Sequence, residues 1–447
     1  MEKPSVIILA MKYHLWTEGC QMNVADSNRV AFALERLGYS PTSRGEDADL
    51  IVLNTCVVRQ SAEDKAYNRL QSLKPLKKQN PALIINLMGC LVGRQDQPIL
   101  RERFPMVDVF SPPSDLAPLI NYLSQCEGKS LSEQELERQS LWLDEEAPVP
   151  ASQVGRMVTA FVPIVLGCSH ACTYCGIPSK RGAEISRPPD EILHEVQGLV
   201  DNGVKEVTLL GQIVDRYGKD QTSYPGLATL LRQINEINGL LRIRFITSHT
   251  NWMDEDLMEA VKGLPKVMPH IEVPVQAGDD EILFAMRRGY TSQQYRQLVE
   301  KIRKKIPDVS IGTDIIIGFP GETDEKFQHT FDLLRDLRME VAHLARYSPR
   351  PGTVSARTMV DDIPDSMKWS RFRKLEELQK QIATEIHDCK AGKSLEVLFE
   401  EKRKNRWRGR TRNNDLVFVE TDQDLHGQIK NVIIDWTGAW SMIGKLV

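Results

Sequence analysis

Short apolar runs alternate with amphipathic segments along the first ~125 residues, a pattern that builds a parallel α/β sheet. Residues 13–17 read as a strand. Residues 23–37 read as an amphipathic helix, with Asn23 as its N-cap and Gly38 as its stop. The run Asp-Leu-Ile-Val-Leu-Asn at 49–54 has the unbroken apolar character of a buried parallel strand. A helix over 62–74, strands over 82–88 and 107–110, and a helix over 115–123 complete this part. Residues 126–155 change character. They are polar and acidic, with Asp144, Glu145 and Glu146 before Pro148 and Pro150, and read as a linker.

From 156 the alternation resumes on a larger scale. Candidate strands lie at 157–165, 206–210, 242–246, 270–275, 310–317 and 341–347, with helical patterns between them at 190–200, 295–304 and 325–337. Six β-α repeats in about 190 residues are too few for a closed eight-fold barrel and predict an open, six-stranded partial barrel. Residues 366–389 read as a long charged helix. Short strands at 395–399, 406–411, 416–421 and 428–436 then predict a small all-β appendage. The predicted division is 11–126, a linker at 127–155, 156–388 and 389–447.

Hydrophobic content of 41% and charged content of 26% are ordinary for a globular protein. No apolar run approaches the ~18 residues of a membrane span. The short run 6–11, bracketed by Lys3 and Lys12, is a poor secretory signal, so a cytoplasmic location without membrane attachment is expected. In that setting eight cysteines argue for metal or catalysis rather than disulfides. A net charge of −4 does not announce a nucleic-acid binder, but it hides a local patch. Seven of the eleven residues in 402–412 are basic, and Arg406, Arg408, Arg410 and Arg412 alternate. On a strand they share one face, which suits phosphates; the alternative is a solvated face.

Cys168, Cys172 and Cys175 form a C-x3-C-x2-C motif directly after the first barrel strand, where barrel enzymes place their chemistry. Three clustered thiolates suit an iron–sulfur centre. Zinc with a distant fourth ligand such as His170 is the alternative. Three thiolates on a four-iron cube leave one iron open for a substrate. The motif resembles that of the radical S-adenosylmethionine (SAM) superfamily.

Cys20, Cys56 and Cys90 are 36 and 34 residues apart, and each follows a predicted strand. The C-terminal ends of parallel strands line up along one sheet edge, so these cysteines are expected to converge there. That predicts a second three-thiolate cluster; the alternative is three cysteines buried as small hydrophobes. Cys126 and Cys389 fit neither set.

With these motifs the sequence resembles the methylthiotransferases, and the MiaB-type tRNA enzymes in particular, over nearly the whole chain. Gly19-Cys20-Gln21-Met22-Asn23 looks like the MiaB version of the first cysteine motif. Relatives acting on ribosomal protein tend to show G-C-P-K-N there, and those acting on threonylcarbamoyladenosine G-C-K-V-N. Asn54-Thr55-Cys56, Ser186-Arg187-Pro188, Arg288-Gly289-Tyr290-Thr291 and Gly318-Phe319-Pro320-Gly321-Glu322-Thr323 also match. Ile213, Thr250 and Ala277 depart from the family's usual Asn, Pro and Ser at those places. The resemblance implies an N-terminal methylthiotransferase domain, a radical SAM core and a C-terminal TRAM domain. It implies two 4Fe–4S clusters, one on Cys168, Cys172 and Cys175 that generates a radical from SAM, and one on Cys20, Cys56 and Cys90 that carries the transferred sulfur. The implied substrate is the N6-dimethylallyl adenosine beside the anticodon of tRNA, modified at C2. The implied partners are a tRNA anticodon stem-loop, a reductant such as flavodoxin or ferredoxin and a sulfur donor, with the chain a monomer. The alternatives are a sister enzyme acting on threonylcarbamoyladenosine or a ribosomal-protein aspartate, and a non-catalytic iron–sulfur sensor that binds RNA.

Within this reading Gly318, Phe319, Pro320, Gly321 and Glu322 are expected to contact SAM, together with Gly211 and Gln212. The alternative for the former loop is a tight turn in which Thr323 caps the next helix. Arg181 and Arg187 are expected at the SAM carboxylate or an RNA phosphate, or else in surface salt bridges. His249 reads as structural, and no proton acceptor is assigned.

Overall fold

A computed structural model of the chain describes residues 11–57, 60–95, 98–126, 128, 132 and 148–447. Much of the predicted linker lies outside the described residues. The chain divides into two compact units, Met1–Val154 with Ser179–Gly182, and Gly155–Pro178 with Ala183–Val447.

The first unit is built on a wholly parallel sheet. Its strands β1 (Lys12–Thr17), β2 (Ser40–Pro41), β3 (Leu50–Thr55), β4 (Ile84–Gly89) and β5 (Val109–Ser111) lie in the order β2-β1-β3-β4-β5. Every residue of β3 is buried because both faces are covered. Ile51 and Leu53 pack with Ala66, Leu70 and Leu73 of the helix Gln60–Gln79. Leu50 and Val52 pack with Val30 and Leu34 of the helix Gln21–Arg36 and with Leu119 and Leu123 of the helix Ala117–Cys126. This two-sided burial explains the unbroken apolar run in the sequence.

Two boundaries differ from expectation. The first helix starts at Gln21 with Cys20 as its N-cap, so Asn23 does not cap it. The Asn23 amide is buried and bonds across to β3 instead. The helix expected to end at 74 runs to Gln79 through Pro75. Leu76 packs on the core there, and Lys77 Nζ bonds Asp108 Oδ2 at 2.8 Å, so packing overrides the proline.

The second unit carries two three-stranded parallel sheets. One has β6 (Thr159–Pro163), β9 (Glu206–Leu210) and β10 (Arg242–Phe245) in the order β10-β9-β6. The other has β11 (His270–Glu272), β12 (Ser310–Ile317) and β13 (Val341–Arg346) in sequence order. A parallel bridge between Ile243 and Val267 and a 2.8 Å bond from Ser248 N to Glu272 O join them into one open run of six strands. Between β6 and β9, the short antiparallel pair β7 (Val165–Leu166) and β8 (Ile185–Ser186) frames the loop that holds the second cysteine motif.

The same unit ends in a closed five-stranded barrel. Its strands β14 (Ser394–Arg403), β15 (Arg406–Thr411), β16 (Leu416–Glu420), β17 (Ile429–Thr437) and β18 (Met442–Leu446) close in the order β14-β15-β16-β18-β17. Val397, Phe399, Trp407, Val417, Val419 and Val432 fill it. Two buried arginines of β10 hold this barrel. Arg242 Nη1 donates to Arg410 O at 2.7 Å and Arg244 Nη2 to Thr411 O at 2.8 Å, while Glu206 pairs with the Arg244 Nε at 2.9 Å. Among the described residues no helix is long and apolar enough to cross a membrane.

Candidate functional site

β1, β3 and β4 are sheet neighbours, and Cys20, Cys56 and Cys90 follow their C-terminal ends. The parallel sheet therefore gathers three cysteines that are far apart in sequence. Glycines make the approach possible. A Cβ on Gly19 would lie 2.7 Å from the Cys56 Cβ. Gly89 has φ +100° and leaves no room for a side chain, since a Cβ would lie 2.4 Å from Thr55 O. Buried amides lock the strands behind them. Asn23 Nδ2 donates to Asn54 Oδ1 at 2.9 Å and Thr55 O at 3.1 Å, and Asn54 Nδ2 donates back to Asn23 O at 2.8 Å. A hydrogen bond with Cys56 outweighs burial and, with the nearby Arg181 charge, brings the Cys20 thiol down to about 6. Burial pushes the Cys90 thiol up, and Arg181 opposes it.

In the second unit, the loop of Cys168, Cys172 and Cys175 is tied down by its own backbone. Thr173 Oγ1 donates to Ala285 O at 2.9 Å, Thr173 N to Met286 O at 3.2 Å, and Ser355 N to Thr173 O at 2.8 Å. Arg288 Nη1 donates to the Cys172 Sγ at 3.3 Å, and its other nitrogens bond Tyr290 Oη and Pro274 O. Burial alone would raise the Cys172 thiol, but a hydrogen bond from His170 and the Arg288 charge bring it down to about 7. At Cys175 burial outweighs a hydrogen bond from Ile177 N and the Arg288 charge, and pushes the thiol up to about 12. Arg288 and Tyr290 stood in the sequence as a family pattern without a role.

The residues expected at SAM make the following contacts within the protein. Arg181 belongs to the first unit, where it is buried against Asp26 and Ser114. Arg187 is buried in an ion pair with Glu195 at 2.7 Å and donates to Pro163 O at 2.8 Å. The Glu322 carboxylate turns into its own loop, accepting from Gly318 N at 2.9 Å and pairing with Arg371 at 2.8 Å. Thr323 caps the helix Asp324–Leu337. The stretch from Gly318 to Glu322 is thus the tight turn that the sequence also allowed. Gly321 stays open, and a Cβ there would meet nothing. Buried Phe319 lies edge-on to Tyr174 at 6.5 Å and to Tyr347 at 5.1 Å, which braces the cysteine loop. Gly211 makes a tight turn, with a Cβ 3.0 Å from Val214 Cα, and Gln212 stays half-buried.

Arg406, Arg408 and Arg410 of β15 share the face opposite buried Trp407, and Arg412 follows the end of the strand. Acidic neighbours meet them there: Glu420 beside Arg406, Glu400 and Glu401 beside Arg408, Glu400 beside Arg410 and Glu396 beside Arg412. The outermost of the four is Arg406.

Sequence reasoning missed a line of buried polar atoms at the ends of β9 and β10. Among the described residues Asp215 Oδ1, Ser248 Oγ, His249 Nε2 and Trp252 Nε1 have no hydrogen-bond partner. Ile213 and Trp252 of this stretch pack directly with Cys168 and Cys175. Asn251 N donates to the His249 Nδ1 at 3.3 Å, which leaves its Nε2 to carry the ring proton. Burial, with Arg288 and His170, lowers His249 to about 2 and keeps it neutral. Burial raises the Asp215 carboxyl to about 7. Buried polar groups left without partners within a fold mark a place that a polar ligand completes. The sequence signal was Ser248-His249-Thr250 directly after a barrel strand.

Among the described residues no three Cys, His, Asp or Glu side chains converge tightly enough for a single metal ion.

The model of the Radical SAM superfamily matches residues 162–334, and that of Uncharacterized protein family UPF0004 matches residues 12–111. Among solved structures, the radical S-adenosylmethionine methyltransferase TsrM from Kitasatospora setae superposes with a TM-score of 0.57 at 13% identity, covering 78% of this chain and 74% of that one. That likeness speaks to the fold. Fold, family model and cysteine motif define a radical SAM protein. The tRNA-2-methylthio-N(6)-dimethylallyladenosine synthase of Roseiflexus sp. (strain RS-1) is 46% identical over 97% of this chain and 89% of its own length. The proteins of the same name from Herpetosiphon aurantiacus (44%; 98% and 97%) and Dictyoglomus thermophilum (42%; 98% and 98%) align equally fully. The chain belongs to the family of these synthases.

Proposed function

We propose that the chain is a radical SAM enzyme that inserts a methylthio group at C2 of N6-dimethylallyladenosine beside the anticodon of tRNA. The carrying observation is a pair of separate three-cysteine sets, one after the C-terminal ends of the parallel strands β1, β3 and β4 and one in the loop between β7 and β8, in a chain that aligns over nearly its full length with the named synthases. Each set fits a cluster better than a single ion, because the thiolates of a cluster take different irons. We assign one 4Fe–4S cluster to Cys168, Cys172 and Cys175, and a second to Cys20, Cys56 and Cys90. When bound, the first cluster with SAM supplies a radical that abstracts hydrogen, and the second supplies the sulfur.

The chain's own residues prepare this chemistry. Arg288 steadies the Cys172 thiolate, and the Thr173 bonds fix the loop that presents it. The unpartnered atoms of Asp215, Ser248, His249 and Trp252 give a polar ligand such as SAM its hydrogen-bond partners. The loop at Gly318 and the turn at Gly211 leave only backbone for closer contact. The β15 face of the terminal barrel, with Arg406 outermost, meets tRNA phosphates in the manner of a TRAM domain, and its effect is salt-dependent. A target adenosine in an anticodon loop is already partly unstacked, which eases its recognition. A low-potential reductant and a sulfur donor complete the reaction. The domain division follows: auxiliary site in 11–126, linker 127–155, radical core 156–388 and RNA-binding barrel 389–447.

The test is an anaerobic incubation of reconstituted protein with prenylated tRNA, SAM, dithionite and sulfide, followed by nucleoside mass spectrometry. The 2-methylthio nucleoside is expected. Unchanged prenylated tRNA alongside turnover of threonylcarbamoyladenosine tRNA would overturn the assignment.

A further inference from the structure

Arg181 has no part in the radical SAM motif, yet it is fully buried in the first unit beside that unit's cysteines. Its Nη1 donates to Ser114 Oγ at 3.0 Å, its Nη2 meets Asp26 Oδ2 at 3.3 Å, and Ser114 Oγ donates to Asp26 Oδ1 at 2.7 Å. This closed triangle fixes the guanidinium plane. Arg181 also lies within electrostatic reach of Cys90 and Cys20. Its neighbours are held closely too. A Cβ on Gly182 would lie 2.5 Å from the Arg94 Nη1, and one on Gly93 would lie 2.8 Å from the Lys180 Cδ.

A buried guanidinium with a single carboxylate partner is expensive to maintain, and replacing such a pair by apolar side chains is often neutral or stabilising. Stability alone is therefore a poor reason for it. We propose that Arg181 is a positioning residue for the N-terminal cysteine site, setting the charge at Cys90 and Cys20 and so the reduction potential of the cluster held there, with Asp26 and Ser114 fixing its direction. This rests on the reading that Cys20, Cys56 and Cys90 hold a cluster. A cation held near the ligand sulfurs favours the more negative, reduced form of a cluster, so its loss makes reduction harder. Removal of the Asp26 charge does the opposite, because it unmasks Arg181.

The experiment is an EPR-monitored redox titration of the full chain with Cys168, Cys172 and Cys175 replaced by Ala, so that one cluster remains. Arg181→Met is expected to move the midpoint to more negative potential, Arg181→Lys to bring it back most of the way, and Asp26→Asn to move it to more positive potential. If Arg181→Met does not fold, the Asp26→Asn shift stands alone as the test. Unchanged midpoints with normal iron content, or shifts of the same sign in Arg181→Met and Asp26→Asn, would overturn the role of Arg181 while leaving the cluster in place. No iron in the triple-Ala chain before either substitution would overturn the cluster reading and this role with it.

Discussion

Gly89 and Gly38 offer a controlled pair for testing whether the sheet edge of the first unit is a shaped site. Both have positive φ, +100° and +88°. An alanine at either one pays about 1–2 kcal/mol for a left-handed backbone. They differ in space. A Cβ on Gly38 meets nothing within 4 Å, whereas a Cβ on Gly89 would lie 2.4 Å from Thr55 O, 2.7 Å from Asn54 Oδ1 and 2.9 Å from Thr55 N. Overpacking of that kind adds roughly 1–3 kcal/mol, which brings Gly89→Ala to about 2–5 kcal/mol. A folded domain holds about 5–15 kcal/mol, so the unit is expected to survive. The strand must shift, however, and Cys90 is the next residue. Urea midpoints and iron content, measured with Cys168, Cys172 and Cys175 replaced by Ala, separate the two effects. Gly38→Ala should lower the midpoint and keep its iron. Gly89→Ala should lower the midpoint further and lose most of its iron. Equal iron in the two variants would refute the claim that Gly89 sets the position of Cys90.

Asp215 gives a pH signature. Its carboxyl, raised to about 7, holds a proton in the folded chain that the unfolded chain releases near 4, so stability falls as pH rises from about 4 to about 7 and levels off above. The full effect is on the order of 4 kcal/mol. Asp215→Asn keeps an acceptor for His249 N and should flatten this slope in thermal unfolding between pH 5 and 8; an unaltered slope would contradict the assignment. Arg288→Met should raise the Cys172 thiol from about 7 toward the ordinary ~8.5, read as a shift in the pH profile of its alkylation in the cluster-free protein. Cys172→Ala should abolish SAM cleavage to 5′-deoxyadenosine, while Cys56→Ala should spare cleavage and block sulfur insertion. Equal loss of both activities in Cys56→Ala with the other cluster intact would argue against divided roles.

Much of the architecture was legible in the residues. The continuous apolar runs marked strands buried on both faces, and the positions of Cys20, Cys56 and Cys90 after such strands foretold their meeting at one edge. What stayed hidden depended on contacts that periodicity does not carry. β2 is two residues long, too short to show a pattern. β18 contains Gly444, whose missing side chain lets it pack closely beside its antiparallel neighbour β17; a Cβ there would lie 2.3 Å from Ile433 O. Arg181 and Arg187 follow the cysteine motif, and their position in the sequence did not show their buried partners, Asp26 for one and Glu195 for the other. Glu322 was likewise taken by Arg371, which lies 49 residues further along the chain. The roles of Arg288 and Asp215 needed three dimensions, since neither shows its neighbour in sequence.

The most direct test of the two-site account is the iron and acid-labile sulfide content of the anaerobically reconstituted chain. About eight of each per chain are expected, the content of two 4Fe–4S clusters. About four of each, with the loss of all iron on replacing Cys168, Cys172 and Cys175 by Ala, would mean that Cys20, Cys56 and Cys90 hold no cluster and would contradict the account.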